Sequence, residues 1–156
     1  MPKTIELSTM LAASPAKVID HVGRSALLEY VSRGVLRLVP VEPPNFPEIW
    51  PEGHYRVKLY LFGFIPLGWQ VIDIERQPRS DKTWSIRDNG HGWAVKTWDH
   101  VIEVTPRGEG SYYTDRIILD AGVLTSVVAV FVKLLYSHRQ RRWRKLVAND
   151  FDYEAA

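Results

Sequence analysis

The sequence contains no cysteine. That excludes a disulfide framework and a thiolate metal site, and it suits a reducing compartment. Long apolar runs are also missing. The longest candidate, "AGVLTSVVAVFVKLLY" (121–136), is broken by Ser, Thr and Lys. It falls short of the roughly 18 to 20 apolar residues a membrane span requires. The opening stretch, "MPKTIELSTMLAASPAKVID", has no charged-then-apolar signal pattern, so the expectation is a soluble, cytoplasmic protein. Glycine-rich phosphate loops, HExxH and GxSxG are absent, which removes the commonest enzyme signatures. The five histidines, His21, His54, His91, His100 and His138, are dispersed without metal-ligand spacing. Neither a metal nor a cofactor is expected.

What is present points to a packed interior. A chain of 156 residues is the length of one ordinary domain, here 1–156, and is large enough to bury a core without staples. Six Trp and seven Tyr supply bulk for a core, a ligand pocket or an interface. The formal charge of +2 conceals one local patch. "KLLYSHRQRRWRK" (133–145) holds six Lys/Arg and no acid, which leaves 14 Lys/Arg against 18 Asp/Glu elsewhere, a net of −4. A basic helix end of this kind suits transient contact with an anionic membrane or a protein partner. The lack of basic excess elsewhere argues against a nucleic-acid protein.

The element order reads as α+β. Thr4 to Ser14 suits a first strand. Ser14 as N-cap and Pro15 at the first helical position open a helix, and "RSALLEYVSRG" suits a second, ending at Gly34. Val35 to Val41 reads as a strand or an extended connection. "EPPNFPEIWPEG" holds four prolines, so no regular element passes through it. Five strands follow, in "HYRVKLYLFGFIPLGWQVIDIERQP" (two), "TWSIRDNG", "VKTWDHVIEV" and "SYYTDRIILDAG". Asn89-Gly90 is read as the turn closing the third. A long helix, roughly 124–149, ends the sequence. Helices segregated from an antiparallel meander imply a curved sheet wrapped around the last helix.

Strand parity then selects inward side chains. Trp98, His100, Ile102 and Val104 share one face; Tyr113, Asp115, Ile117 and Leu119 share the apolar face of the next strand. With Thr105 opposite Gly110, His100 faces Asp115 inside and Asp99 faces Arg116 outside; registers shifted by two keep the faces matched. Trp84, Ile86 and Asp88 share the inner face of the preceding strand, with Asp88 read as a turn residue. Leu59 and Leu61, beside Val57, face Gln70, Ile72 and Ile74, while Trp69 points away. On the closing helix Phe131, Leu135, His138 and Arg142 form one stripe, flanked by Val127, Val128, Leu134 and Leu146. His21, His54 and His91 are expected at the surface.

This order, with "AASPAKVIDHV", "FGFIPLGWQVIDI", "WDHVIEV" and "YYTDRIIL", resembles the helix-grip fold of the START superfamily. That group, also called SRPBCC, includes polyketide cyclases, lipid-transfer domains and birch-pollen-allergen-like proteins. The resemblance implies a cavity between sheet and closing helix for a small hydrophobic or amphipathic ligand. Three readings follow. One is a binding or carrier domain with His100, Asp115 and Tyr113 as polar handles. The second is a cyclase- or dehydratase-like enzyme in which His100 and Asp115 move protons. The third is a quinone- or partner-binding module. His100 and Asp115 also admit a purely structural role, as a buried pair that fixes strand register.

Overall fold

The computed structural model describes residues 1–78 and 82–155. Strand β1 spans Lys3–Leu11, and helices α1 and α2 span Pro15–Val22 and Ser25–Ser32. Strands β2 to β7 are Leu36–Glu42, Gly53–Leu61, Ile65–Arg76, Trp84–Gly92, Thr97–Arg107 and Gly110–Asp120. A short 3-10 turn, Gly122–Leu124, leads into helix α3, Thr125–Ala148. The seven strands form one antiparallel sheet in the order β1-β7-β6-β5-β4-β3-β2. This is the helix-grip arrangement: a curved sheet closed by the long C-terminal helix.

Local chemistry explains the elements. The Ser14 side chain accepts from the Lys17 N–H at 3.3 Å with Pro15 at the first helical position, so α1 starts where its orphan donors are satisfied. The buried face of α3 runs Ala129, Val132, Tyr136, Arg139, Trp143 and Leu146, in steps of three and four. This face is rotated from the expected stripe. Val127 and Leu134, expected beside it, are 69% and 67% exposed. Arg142 lies against α2, its Nε donating to the Tyr30 carbonyl at 3.0 Å.

Two expectations about turns are corrected. Asn89-Gly90 lies inside β5, not at its end. A Cβ on Gly90 would stand 2.1 Å from the Val71 carbonyl oxygen, so the glycine serves close approach of β4 rather than a hairpin. The β6–β7 hairpin closes through Gly108 and Glu109, with Arg107 opposite Gly110 and Gly108 at φ 58°. This two-residue loop opening on glycine is tighter than the four-residue turn expected. It moves the register by two, placing His100 opposite Ile117 and Ile102 opposite Asp115. The faces stay matched, but the outer pair does not form. Asp99 is instead clamped by Arg87 at 2.8 and 3.0 Å, and Arg116 pairs with Glu103 and Glu6.

The interior has two apolar clusters. One gathers Tyr30, Trp50, Tyr55, Val57, Tyr113 and Trp143; the other gathers Ile117, Leu119, Val132, Leu135 and Tyr136. Members of both border a cavity.

Candidate functional site

The cavity has a volume of about 400 Å³ and lies between the inner sheet face and α3. Helix α3 contributes Val127, Val128, Phe131, Val132, Leu135, Tyr136 and Arg139. The sheet contributes Leu59 from β3; Gln70, Ile72 and Ile74 from β4; Ile86 and Asp88 from β5; and Trp98, His100 and Ile102 from β6. Val22, Leu27 and Leu28 from α1 and the start of α2, with Trp50 from the proline-rich loop, border it as well. Its exposed border residues are Pro66, Trp69, Trp93, Ala94 and Val127. These mark the mouth, between the β3–β4 and β5–β6 loops and the start of α3.

Of the fifteen residues expected from the sequence to contact a ligand, nine border this space: Leu59, Gln70, Ile72, Ile86, Trp98, His100, Ile102, Phe131 and Leu135. Six do not, and each has a physical reason. Tyr113, Asp115 and Ile117 lie on β7, beneath α3; the Tyr113 ring packs on Trp143 with centroids 5.3 Å apart. Leu61 ends β3 opposite Leu36 and Ile65, at the turn. Trp84 opens β5 opposite Val104 and packs into the first cluster. His138 turns to α2, its Nε2 within 2.8 Å of the Arg33 carbonyl oxygen. Conversely, Trp69 borders the mouth although parity points it away, because Gly68 at φ 88° and the β3–β4 bulge break the alternation beside it.

A hydrogen-bonded network backs the cavity wall. Asp115 is 1% exposed. Its Oδ1 lies 2.8 Å from His100 Nε2 and accepts from the Tyr113 hydroxyl at 3.3 Å, while Oδ2 accepts from Gln140 Nε2 at 3.0 Å. Arg139 Nη1 donates to the Tyr136 hydroxyl oxygen at 2.9 Å, and that hydroxyl lies 3.4 Å from His100 Nδ1. The donors run one way. Tyr136 gives its proton toward Nδ1, and Nε2–H gives to Asp115. His100 is therefore neutral with its proton on Nε2, which agrees with burial pulling its pKa down against the upward pull of Asp115. Burial pushes the Tyr113 and Tyr136 hydroxyls up, so both stay protonated donors.

Asp88 is the residue that turn chemistry misjudged. It stands opposite His100, and its Oδ1 accepts from the Asp73 backbone N–H at 2.8 Å. The β4–β5 ladder skips Ile72 and Asp73, and the carboxylate supplies the acceptor the ladder lacks. Burial pushes its pKa up to about 7, against the Asp73 hydrogen bond. Parity with Trp84 and Ile86 was the signal that placed it inside. Arg139 had a signal too: it continues Val127, Phe131 and Leu135 at i+4 spacing. Reading the basic run as a contact surface for a membrane or a partner hid it.

The other histidines separate. His54 is exposed beside Asp73. His91 is exposed but lies in β5, edge-on to Trp69. His21, expected at the surface, is buried, stacked on Phe151 at 4.2 Å and hydrogen-bonded to the Tyr153 hydroxyl. Among the described residues no group of three or more His, Cys, Asp or Glu is placed to hold a metal ion.

Several solved structures share this architecture. Ara h 8.0201 aligns over 96% of this chain and 99% of its own, with TM-score 0.66 and 12% identity. A START superfamily protein from Mycobacterium smegmatis aligns over 94% and 97%, with TM-score 0.62 and 9% identity. A Thalictrum norcoclaurine synthase point mutant, solved in complex with a transition-state analogue, aligns over 97% and 98%, with TM-score 0.65 and 11% identity. At these identities the likeness is one of fold, and it shows the START, or SRPBCC, helix-grip fold. No curated protein sequence matches. The family model described as "Domain of unknown function (DUF8410)" matches residues 49–147, and the chain belongs to that family.

Proposed function

We propose that the protein binds a small hydrophobic or amphipathic ligand in the cavity between sheet and α3 and exchanges it at an anionic bilayer surface. The observation that carries this reading is the cavity itself. About 400 Å³ of mostly apolar space lies within the ordinary range of ligand sites, with the few convergent polar groups that such sites use for orientation. His100, Asp88, Gln70 and Arg139 are those groups. Tyr113 and Asp115 act from behind His100. START-type proteins and allergen-like relatives of this fold support the same reading by analogy. Mass spectrometry of a solvent extract of gently purified protein tests it. A reproducible apolar compound at near-stoichiometric level is expected. An extract free of any such compound, from a protein that also takes up no apolar dye, overturns it.

One observation favours a second reading, a proton-moving enzyme of the polyketide cyclase or dehydratase kind. Asp88 borders the cavity with a pKa near 7, where one group both accepts and delivers a proton. The solved norcoclaurine synthase, an enzyme by its name, supports chemistry in a cavity of this fold. The variant Asp88→Asn separates the readings: a carrier keeps its ligand and loses nothing else, whereas an enzyme keeps binding and loses turnover.

A further inference from the structure

The cavity wall holds a cation with no direct ion-pair partner. Arg139 is 9% exposed and borders the cavity. Among the described residues no carboxylate lies within 4.0 Å of its guanidinium. Of the five N–H donors of an arginine, one is used on another side chain, at Tyr136, whose ring centroid lies 4.4 Å from the guanidinium carbon. Among the described residues the sealed donors without partners are Trp143 Nε1, the Tyr30 hydroxyl and Arg24 Nε; those of Arg139 are not among them, and its side chain borders the cavity. The two nearby acids are occupied. Asp115 accepts from His100, Tyr113 and Gln140, and Asp88 from the Asp73 N–H. Burial works against the charge of Arg139, yet Tyr136 and Asp115 outweigh it and hold the group cationic.

The position of this cation is as informative as its charge. Val127, Phe131, Leu135 and Arg139 follow one another at i+4 spacing along α3, all against the cavity. Val127 stands at the mouth, so Arg139 lies about 18 Å further along the helix axis. Along α3 the wall between them is apolar, and of the three arginines on the lining Arg24 and Arg87 are paired with acids whereas Arg139 is not.

We propose that the ligand is an amphipathic organic acid, an elongated apolar body with a terminal carboxylate, which enters acid first and pairs that carboxylate with Arg139. The proposal rests on the cavity-binding reading above and names its ligand class. A carboxylate matches the planar fork of a guanidinium and would give Arg139 the direct partner that no protein carboxylate supplies, Asp115 acting on it only from a distance. Asp88, when protonated, adds a hydroxyl donor on the facing strand.

The test is displacement of a neutral naphthylamine dye from the full-length protein by dodecanoate and by dodecanol. The two share a chain and differ at the terminal group. Dodecanoate is expected to displace the dye roughly tenfold to a hundredfold more effectively. Arg139→Met is expected to bring the acid to the level of the alcohol, and Arg139→Lys to keep part of the preference. Equal displacement from the wild-type protein overturns acid selectivity and leaves the cavity reading standing. Failure of dye, acid and alcohol alike to bind overturns both. The wild-type comparison needs no variant, so misfolding of Arg139→Met does not blunt it.

Discussion

Four residues carry consequences that can be measured singly. Asp88 ionises near pH 7 in the fold, against an ordinary value of 3.8, because burial disfavours its charge. A raised acid favours the folded state only while protonated. Its contribution is fully present below about pH 4 and is lost as pH rises toward 7, by up to about 4 kcal/mol. Asn keeps an oxygen for the Asp73 N–H. Asp88→Asn should therefore gain stability over the wild type between pH 5 and pH 8.5 in chemical denaturation. Parallel profiles for the two proteins would contradict this. His100 runs the other way: its lowered pKa gives stability present above pH 6.5 and lost on acidification.

Asp115 holds the buried network together. Asp115→Asn removes the anion from a site with three donors and a nearby cation, so a loss on the order of 3 kcal/mol is expected. The His100 pKa should fall further, since Asp115 is what raises it; an NMR titration checks this. Gly90 is a packing matter. A Cβ 2.1 Å from the Val71 carbonyl oxygen forces β4 and β5 apart, and Gly90→Ala should cost about 2 kcal/mol or more. An alanine variant with wild-type stability would mean that the strands do not approach as described.

At the scale of elements, much was legible because periodicity is physical. Alternation in β6 and β7 identified the inner faces, and the Ser14-Pro15 cap located α1. Register was harder. A shift of two preserves every face, and only the two-residue hairpin at Gly108 decides it. The His100–Asp115 contact survived the shift because a diagonal neighbour remains within reach of a long side chain. Asn89-Gly90 misled because the same dipeptide that turns a chain also permits close strand contact. The face of α3 was misassigned for a third reason. The stripe drawn through Phe131, Leu135, His138 and Arg142 passes over Arg139 and Gln140, whose inward placement is matched by His100 and Asp115 on the sheet. Long-range polar pairing leaves no local trace in sequence.

For the whole molecule, the mouth is the distinctive surface. Trp93 is 72% exposed, and Phe62, Phe64, Val127, Val130 and Leu134 are exposed as well. The segments that carry most of these, 54–72 and 121–149, contain no acid. Of the basic run, Lys133 is exposed next to Leu134 and one turn from Val130, Arg139 and Arg142 are engaged with Tyr136 and Tyr30, Arg144 reaches Thr9, and Arg141 and Lys145 are exposed further along α3. Apolar side chains with Lys133 among them, on segments free of acid, suit an anionic bilayer. Sedimentation with phosphatidylglycerol-containing vesicles should show binding that falls with salt. The double variant Trp93→Asp, Val127→Asp should lose most of it, and unchanged binding would remove the bilayer from the account.

The central claim is an internal cavity that takes up an apolar ligand. Titration of the wild-type protein and Leu135→Trp with a neutral naphthylamine dye tests it most directly. Leu135 borders the cavity one turn of α3 from Arg139 and two from Val127 at the mouth, so a tryptophan there obstructs the space. The expected result is saturable one-to-one fluorescence enhancement with the wild type and little or none with the variant. No uptake by the wild type, or equal uptake by both, would contradict the cavity as the binding site.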